Sequence, residues 1–117
     1  MSYDIYFKDP VSGETIELDA PHFMRGGTFQ LDGTKELYFN ITFNYEPNYR
    51  KHNFNIKDLN NKTAANVIPE LKRVIKLLGD QTSDNYWEPI DGNAKRALIT
   101  LLTMAQIRPD AIIKVEY

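Results

Sequence analysis

Between Thr63 and Asp110 apolar residues recur at helical spacing twice over, and no other feature constrains the fold as much. In the first run Ala64, Val67, Ile68, Leu71, Val74, Ile75 and Leu78 form one stripe. In the second run Ala94, Ala97, Leu98, Leu101, Leu102 and Ala105 do the same. A stripe of this width has to be buried against another layer, so the rest of the chain must supply one. The first helix is expected to be capped by Thr63 or Asn66 and stopped by Gly79. Pro69 predicts that its regular part begins late, because proline costs little only in the first turn. The second helix is expected to take Asp91 as its N-cap and to end at Arg108-Pro109.

The second layer is legible upstream, where the period changes to two. Tyr3, Ile5 and Phe7 alternate with polar neighbours and read as a strand. Asp9-Pro10 and Ser12-Gly13 are turn chemistry, and Ile16 and Leu18 begin a second strand that Pro21 should end, giving a hairpin. Phe29 and Leu31 suggest a further short strand closed by Asp32-Gly33. The strongest strand signal is ELYFNITFNY, expected to stop near Pro47. Phe39, Ile41, Phe43 and Tyr45 fall on one face, and Tyr38, Asn40, Thr42 and Asn44 on the other, which is polar and uncharged. From Asn48 to Lys62 the pattern dissolves into an asparagine-rich loop, tacked to the core by Phe54, Ile56 and Leu59. The tail AIIKVEY reads as a last strand that returns to the sheet.

These elements predict an α+β domain in two layers, a mostly antiparallel sheet with two amphipathic helices packed on one face. One domain covers 1–117, with a β-rich part to about 47, a loop over 48–62, the helical pair over about 63–108 and a strand over 111–117. A chain of 117 residues with 42% apolar and 12% aromatic content has room for one packed core.

Charge and composition narrow the function. The net charge of −2 gives no bulk attraction to nucleic acid or to an anionic membrane. The absence of cysteine removes disulfides, zinc–thiolate sites and a cysteine nucleophile. No basic-then-apolar leader is visible and no apolar run approaches the roughly 20 residues of a membrane span, so an intracellular, cytoplasmic protein is expected. The chain contains no P-loop, dinucleotide fingerprint, Gly-x-Ser-x-Gly or His-Glu-x-x-His, and the reading is non-enzymatic, with no cofactor and no metal. Its acidic N-terminal residues, Asp4, Asp9, Glu14, Glu17 and Asp19, fit a solvated sheet face better than a carboxylate pair.

Three surfaces remain as candidates. Tyr86, Trp87 and Glu88 lie in an aromatic, acidic loop between the helices, and with the polar strand face (Tyr38, Asn40, Thr42, Asn44) they suit a protein partner, since Trp and Tyr anchor interfaces. Trp87 could equally plug the open end of the helix pair. A second candidate joins His22, Arg25, Gly26 and Gly27 into an anion pocket for a nucleotide, against the plain alternative of a Gly-rich crossover. A third uses Arg50, Lys51, Lys72, Arg73 and Lys76 with the neighbouring aromatics Tyr45, Tyr49 and Phe54 to hold nucleic acid. Any amphipathic helix, however, keeps lysine and arginine on its polar face.

Four segments, APHFMRGGTF, LYFNITFNYEPNY, KTAANVIPELKRVIKLLGD and DNYWEPIDGNAKRALITLLTMAQIRPD, resemble a family of small uncharacterised phage and prophage proteins of low-GC Gram-positive bacteria. YWEPIDGNAKRAL is the most specific of these motifs. That family closes in a short Gly/Asp/Trp tail after the Arg-Pro-Asp turn, whereas this chain continues as AIIKVEY. The resemblance implies an accessory protein that binds a host macromolecule in a bacterial cell, with anti-defence and anti-CRISPR inhibitors as the prominent group. A homodimer formed through the AIIKVEY edge is a further expectation.

Overall fold

The alternation at the N-terminus folds as its pattern dictates. In the computed structural model, which describes residues 1–24 and 33–117, β1 spans Ser2–Lys8 and buries Tyr3, Ile5 and Phe7 on one face. It is the central strand of an antiparallel sheet ordered β4-β1-β5, where β4 is Tyr38–Thr42 and β5 is Ile112–Glu116. The register sets Ile5 opposite Phe39 and Val115, Tyr3 opposite Ile41, and Phe7 opposite Ile113. Every one of these residues faces the same core, so a one-residue slip would turn the whole apolar face to solvent.

The first hairpin is shorter than its pattern suggests. Asp9 accepts the N–H groups of Val11 and Ser12, and Gly13 takes φ +74° in the turn. Only Lys8 and Thr15 then pair, and Ile16 donates to Phe7. The chain next leaves the main sheet. β2 (Glu17–His22) runs through Pro21 rather than stopping there, and pairs with β3 (Thr34–Glu36) in a separate two-stranded ribbon. An edge position tolerates the missing proline N–H. The expected strand at Phe29 and Leu31, and Asp32 of its turn, lie outside the described residues.

The strand over ELYFNITFNY is cut short. β4 ends at Thr42, and Phe43–Tyr45 is a 3-10 turn that opens on Thr42 Oγ1, which accepts Asn44 N–H. A short helix follows, α1 (Glu46–Arg50), with Pro47 in its first turn, where proline is tolerated. The expected loop over 48–62 thus begins inside α1 and carries a second 3-10 turn at Ile56–Leu59, with turns and irregular backbone between and after them. Phe54, Ile56 and Leu59 are buried as anticipated.

α2 spans Ala64–Leu77 and α3 spans Asp91–Ile107. Pro69 does not delay α2; it sits inside the helix. The start is fixed from outside, because Ala64 N–H and Ala65 N–H donate to Ala111 and Pro109 at the entrance to β5. Thr63 occupies the N-cap position without a side-chain bond, since these carbonyls already take the first helical donors. Val67, Leu71 and Val74 from α2 meet Ala97, Leu98, Leu101 and Met104 from α3 in one core above the sheet. The architecture is α+β, with the helices covering one face of the antiparallel sheet. β5 does not offer an open edge for a dimer: Asn61 donates to Ile113, Ile113 to Lys62, and Val115 to Asn60 Oδ1.

Candidate functional site

The loop between α2 and α3 has no regular backbone pairing, yet it is firmly built. Asp91, Gly92 and Asn93 open α3 and in turn grip residues 79, 81 and 83. Asp91 Oδ2 accepts Gly79 N–H at 3.0 Å, Gly92 N–H donates to Gln81 O at 2.8 Å, and Asn93 Oδ1 accepts Ser83 N–H at 3.2 Å. Position 92 must be glycine for this approach, since a Cβ there would stand 2.2 Å from the Gln81 carbonyl oxygen.

Every backbone carbonyl from Asn85 to Pro89 then receives a side-chain donor. Asn93 Nδ2 donates to Asn85 O at 3.0 Å and to Glu88 O at 3.2 Å. The Tyr45 hydroxyl donates to Tyr86 O, Asn44 Nδ2 to Trp87 O at 2.9 Å, and Asn48 Nδ2 to Pro89 O at 3.2 Å. The 3-10 turn and α1 carry the last three donors, so the segment read as the end of a strand is the cradle of this loop. Asn93 is 2% exposed and Asn48 is buried. Buried amides are costly unless bonded, so their placement is specific.

Asp91 secures the base of the arrangement. It is the first helical residue, with Ile90 at the N-cap, and not the cap itself. Its Oδ1 accepts Lys51 Nζ at 2.7 Å and Asn48 Nδ2 at 2.9 Å. The Lys51 ammonium, with help from Asn48 and the Gly79 N–H, holds this carboxyl down to about 2. Its position in the first turn of α3 also places negative charge where the helix dipole favours it.

What this scaffold displays is aromatic. Trp87 is 56% exposed and Tyr86 38%, so Trp87 does not plug the helix pair. Beside them a cleft of about 350 Å³ is lined by Tyr86, Phe23, Ile99 and Ala97, with Arg96 at its polar side. Glu88 is exposed on the same loop.

Of the polar strand face that was the other half of the expected protein-binding surface, Tyr38 is partly exposed and Asn44 exposed, but the two residues between them are buried. Asn40 and Thr42 are 6% and 4% exposed. Asn40 Nδ2 donates to Ser2 Oγ and Asp4 Oδ1, and the Tyr38 hydroxyl donates to the same Asp4 oxygen at 2.7 Å while its ring stacks on Tyr6. β1 thus brings a carboxylate to a face that β4 alone made uncharged. Asn44 has left the strand and serves the loop.

Among the remaining candidates His22, Lys51 and Arg73 are engaged in internal bonds. His22 Nε2 meets Glu36 O at 2.5 Å and ties β2 to β3, while its Nδ1 accepts Met24 N–H just beyond β2, so both ring nitrogens are engaged. Arg25, Gly26 and Gly27 lie outside the described residues. Of the basic set, Lys51 is bound to Asp91, and Arg73 to Glu70 and the His52 carbonyl. Arg50, Lys72 and Lys76 carry no ion pair among the described residues. There, too, no group of three or more His, Cys, Asp or Glu side chains comes together, and no helix is long and apolar enough to cross a membrane.

Sequence reasoning named Tyr86, Trp87 and Glu88 but missed Asn48 and Asn93 as the residues that hold them. A signal was available in Asp-Gly-Asn at a helix start: glycine inside a first turn marks a close backbone approach, and asparagine there seeks nearby backbone. No protein-family model, curated protein or solved structure matches this chain.

Proposed function

We propose that this protein is a non-enzymatic binding protein, and that the loop carrying Tyr86, Trp87 and Glu88 is the surface that receives a host protein. The observation that carries this reading is the capture of every carbonyl from Asn85 to Pro89 by a side chain, under an exposed Trp and Tyr. Exposed aromatics on a fixed backbone bind with little ordering cost, which is what an interface anchor needs. The resemblance to phage-borne accessory proteins supports a partner inside a bacterial cell, of which a defence protein such as a CRISPR effector is the leading class. The test is plating of phage and plasmid interference in a Gram-positive host expressing the protein or its Trp87→Ala, Tyr86→Ala variant. Loss of defence with the parent and not with the variant upholds the reading. No change with either protein, together with no host protein retained by the tagged parent, refutes it.

A nucleic-acid or nucleotide partner is less supported, because Lys51, Arg73 and His22 are already committed to internal bonds.

A further inference from the structure

The cleft beside the aromatic loop is built from separate parts of the chain. Phe23, just past β2, is 58% exposed, yet its ring is packed: it lies against Gly33, where a Cβ would stand 3.0 Å from the ring's Cζ. Tyr86 comes from the loop, and Ala97 and Ile99 come from α3. The other polar side chains of the lining serve the fold. The Tyr45 hydroxyl donates to Tyr86 O, the Asn93 amide bonds residues 83, 85 and 88, and the Thr100 hydroxyl donates to Arg96 O. Arg96 differs. Lys51, Arg73, Lys95 and Arg108 each hold a carboxylate, whereas among the described residues the Arg96 guanidinium has neither an ion pair nor a hydrogen bond. The neighbours that could reach it along α3, Gly92, Asn93, Ile99 and Thr100, carry no acid.

We propose that this cleft binds a small aromatic carboxylate, its ring against the apolar walls and its carboxylate on the Arg96 guanidinium. An apolar lining with one polar anchor selects an apolar body carrying one matching group. A guanidinium matches a carboxylate through two parallel N–H bonds. A phosphate ester asks for more donors, and the described lining holds no second cation. At about 350 Å³ the cleft is near the lower end of ligand pockets, with room for a ring and its acid group and not for a nucleotide or a crossing chain. The site uses Tyr86 but not Trp87, so it stands or falls separately from the protein-partner reading.

Titration of the isotope-labelled full chain with hydrocinnamate, followed by NMR, should give saturable shifts at the amides of Tyr86, Arg96 and Ile99, with a dissociation constant on the order of 1 mM. Hydrocinnamide keeps the ring and loses the charge, and should bind about tenfold more weakly. Arg96→Gln should erase that preference by weakening the acid alone, and Phe23→Ala should weaken acid and amide alike. Both positions are exposed, so both variants should melt like the parent. Trp87→Ala should leave these titrations unchanged. N-acetylglycylphenylalanine, the same chemistry at the end of a peptide, should bind no tighter than the free acid. No saturable shift up to about 20 mM overturns the proposal. So does equal affinity for acid and amide, or an Arg96→Gln variant that binds the acid like the parent. Binding of the peptide about tenfold tighter than the acid overturns the free acid as occupant and assigns the cleft to a chain end.

Discussion

The three-stranded sheet and the loop before α3 are ordered by opposite means. In the sheet, backbone pairs with backbone and the side chains are free to fill the core. In the loop, backbone pairs with side chains drawn from the 3-10 turn, α1 and α3, and the loop's own aromatic side chains are left in water. A sheet of this kind tolerates many apolar exchanges of similar volume. The loop depends on particular donors at particular atoms, so single changes there should release it while the sheet persists.

The largest effects separate the two regions most sharply. Ile5→Ala empties a fully buried site at the centre of the sheet and should cost about 3–4 kcal/mol, lowering the denaturation midpoint of the entire domain. Gly92→Ala should cost about 3 kcal/mol through its collision with Gln81, but with a local signature. Amides from Gly79 to Glu88 should exchange fast while those of β1 stay protected. Equal loss of protection in β1 would mean that loop and sheet are one cooperative unit.

Asn93→Ala should come next, at about 2 kcal/mol, because it strips donors and an acceptor from a buried cluster. Limited chymotrypsin digestion should then cut at Tyr86 and Trp87, where the parent resists. Continued resistance would show that Asn44, Tyr45 and Asn48 suffice.

Asp91→Asn should cost about 1–2 kcal/mol at neutral pH, and its deficit should depend on acidity. The folded carboxyl is depressed from 3.8 to about 2, so its stabilising contribution is fully present above about pH 4 and is lost as pH falls through about 2. Melting curves of parent and variant should therefore converge in that window. A constant gap from pH 7 to pH 2 would assign the effect to packing instead of charge.

The contrast also explains what the sequence disclosed. Alternation in Tyr3, Ile5 and Phe7 and the helical period of Val67, Leu71 and Val74 are local signals, and they located β1 and α2 and with them the α+β class. The end of β4 was misread because Phe43 and Tyr45 continue the alternation. The chain turns there through Thr42 and Asn44, and the hydroxyl of Tyr45 is needed at Tyr86. Pro69 misled for a similar reason, since α2 is started by carbonyls of residues 109 and 111. Tyr86 and Trp87 could be nominated from residue type alone. Their support could not, because Asn44 and Asn48 bond to residues about 40 positions away, a separation over which no local spacing rule operates.

Trp87→Ala bears most directly on the central claim, that the loop is prebuilt for a protein partner. Being exposed, Trp87 should contribute within about 0.5 kcal/mol to stability, so the variant should melt like the parent. Quantitative mass spectrometry of host proteins retained by tagged parent, Trp87→Ala and Lys72→Ala should show one stoichiometric protein with the parent and with Lys72→Ala, and its loss with Trp87→Ala. Retention of that protein by a folded Trp87→Ala would contradict the account and move the binding surface away from the loop.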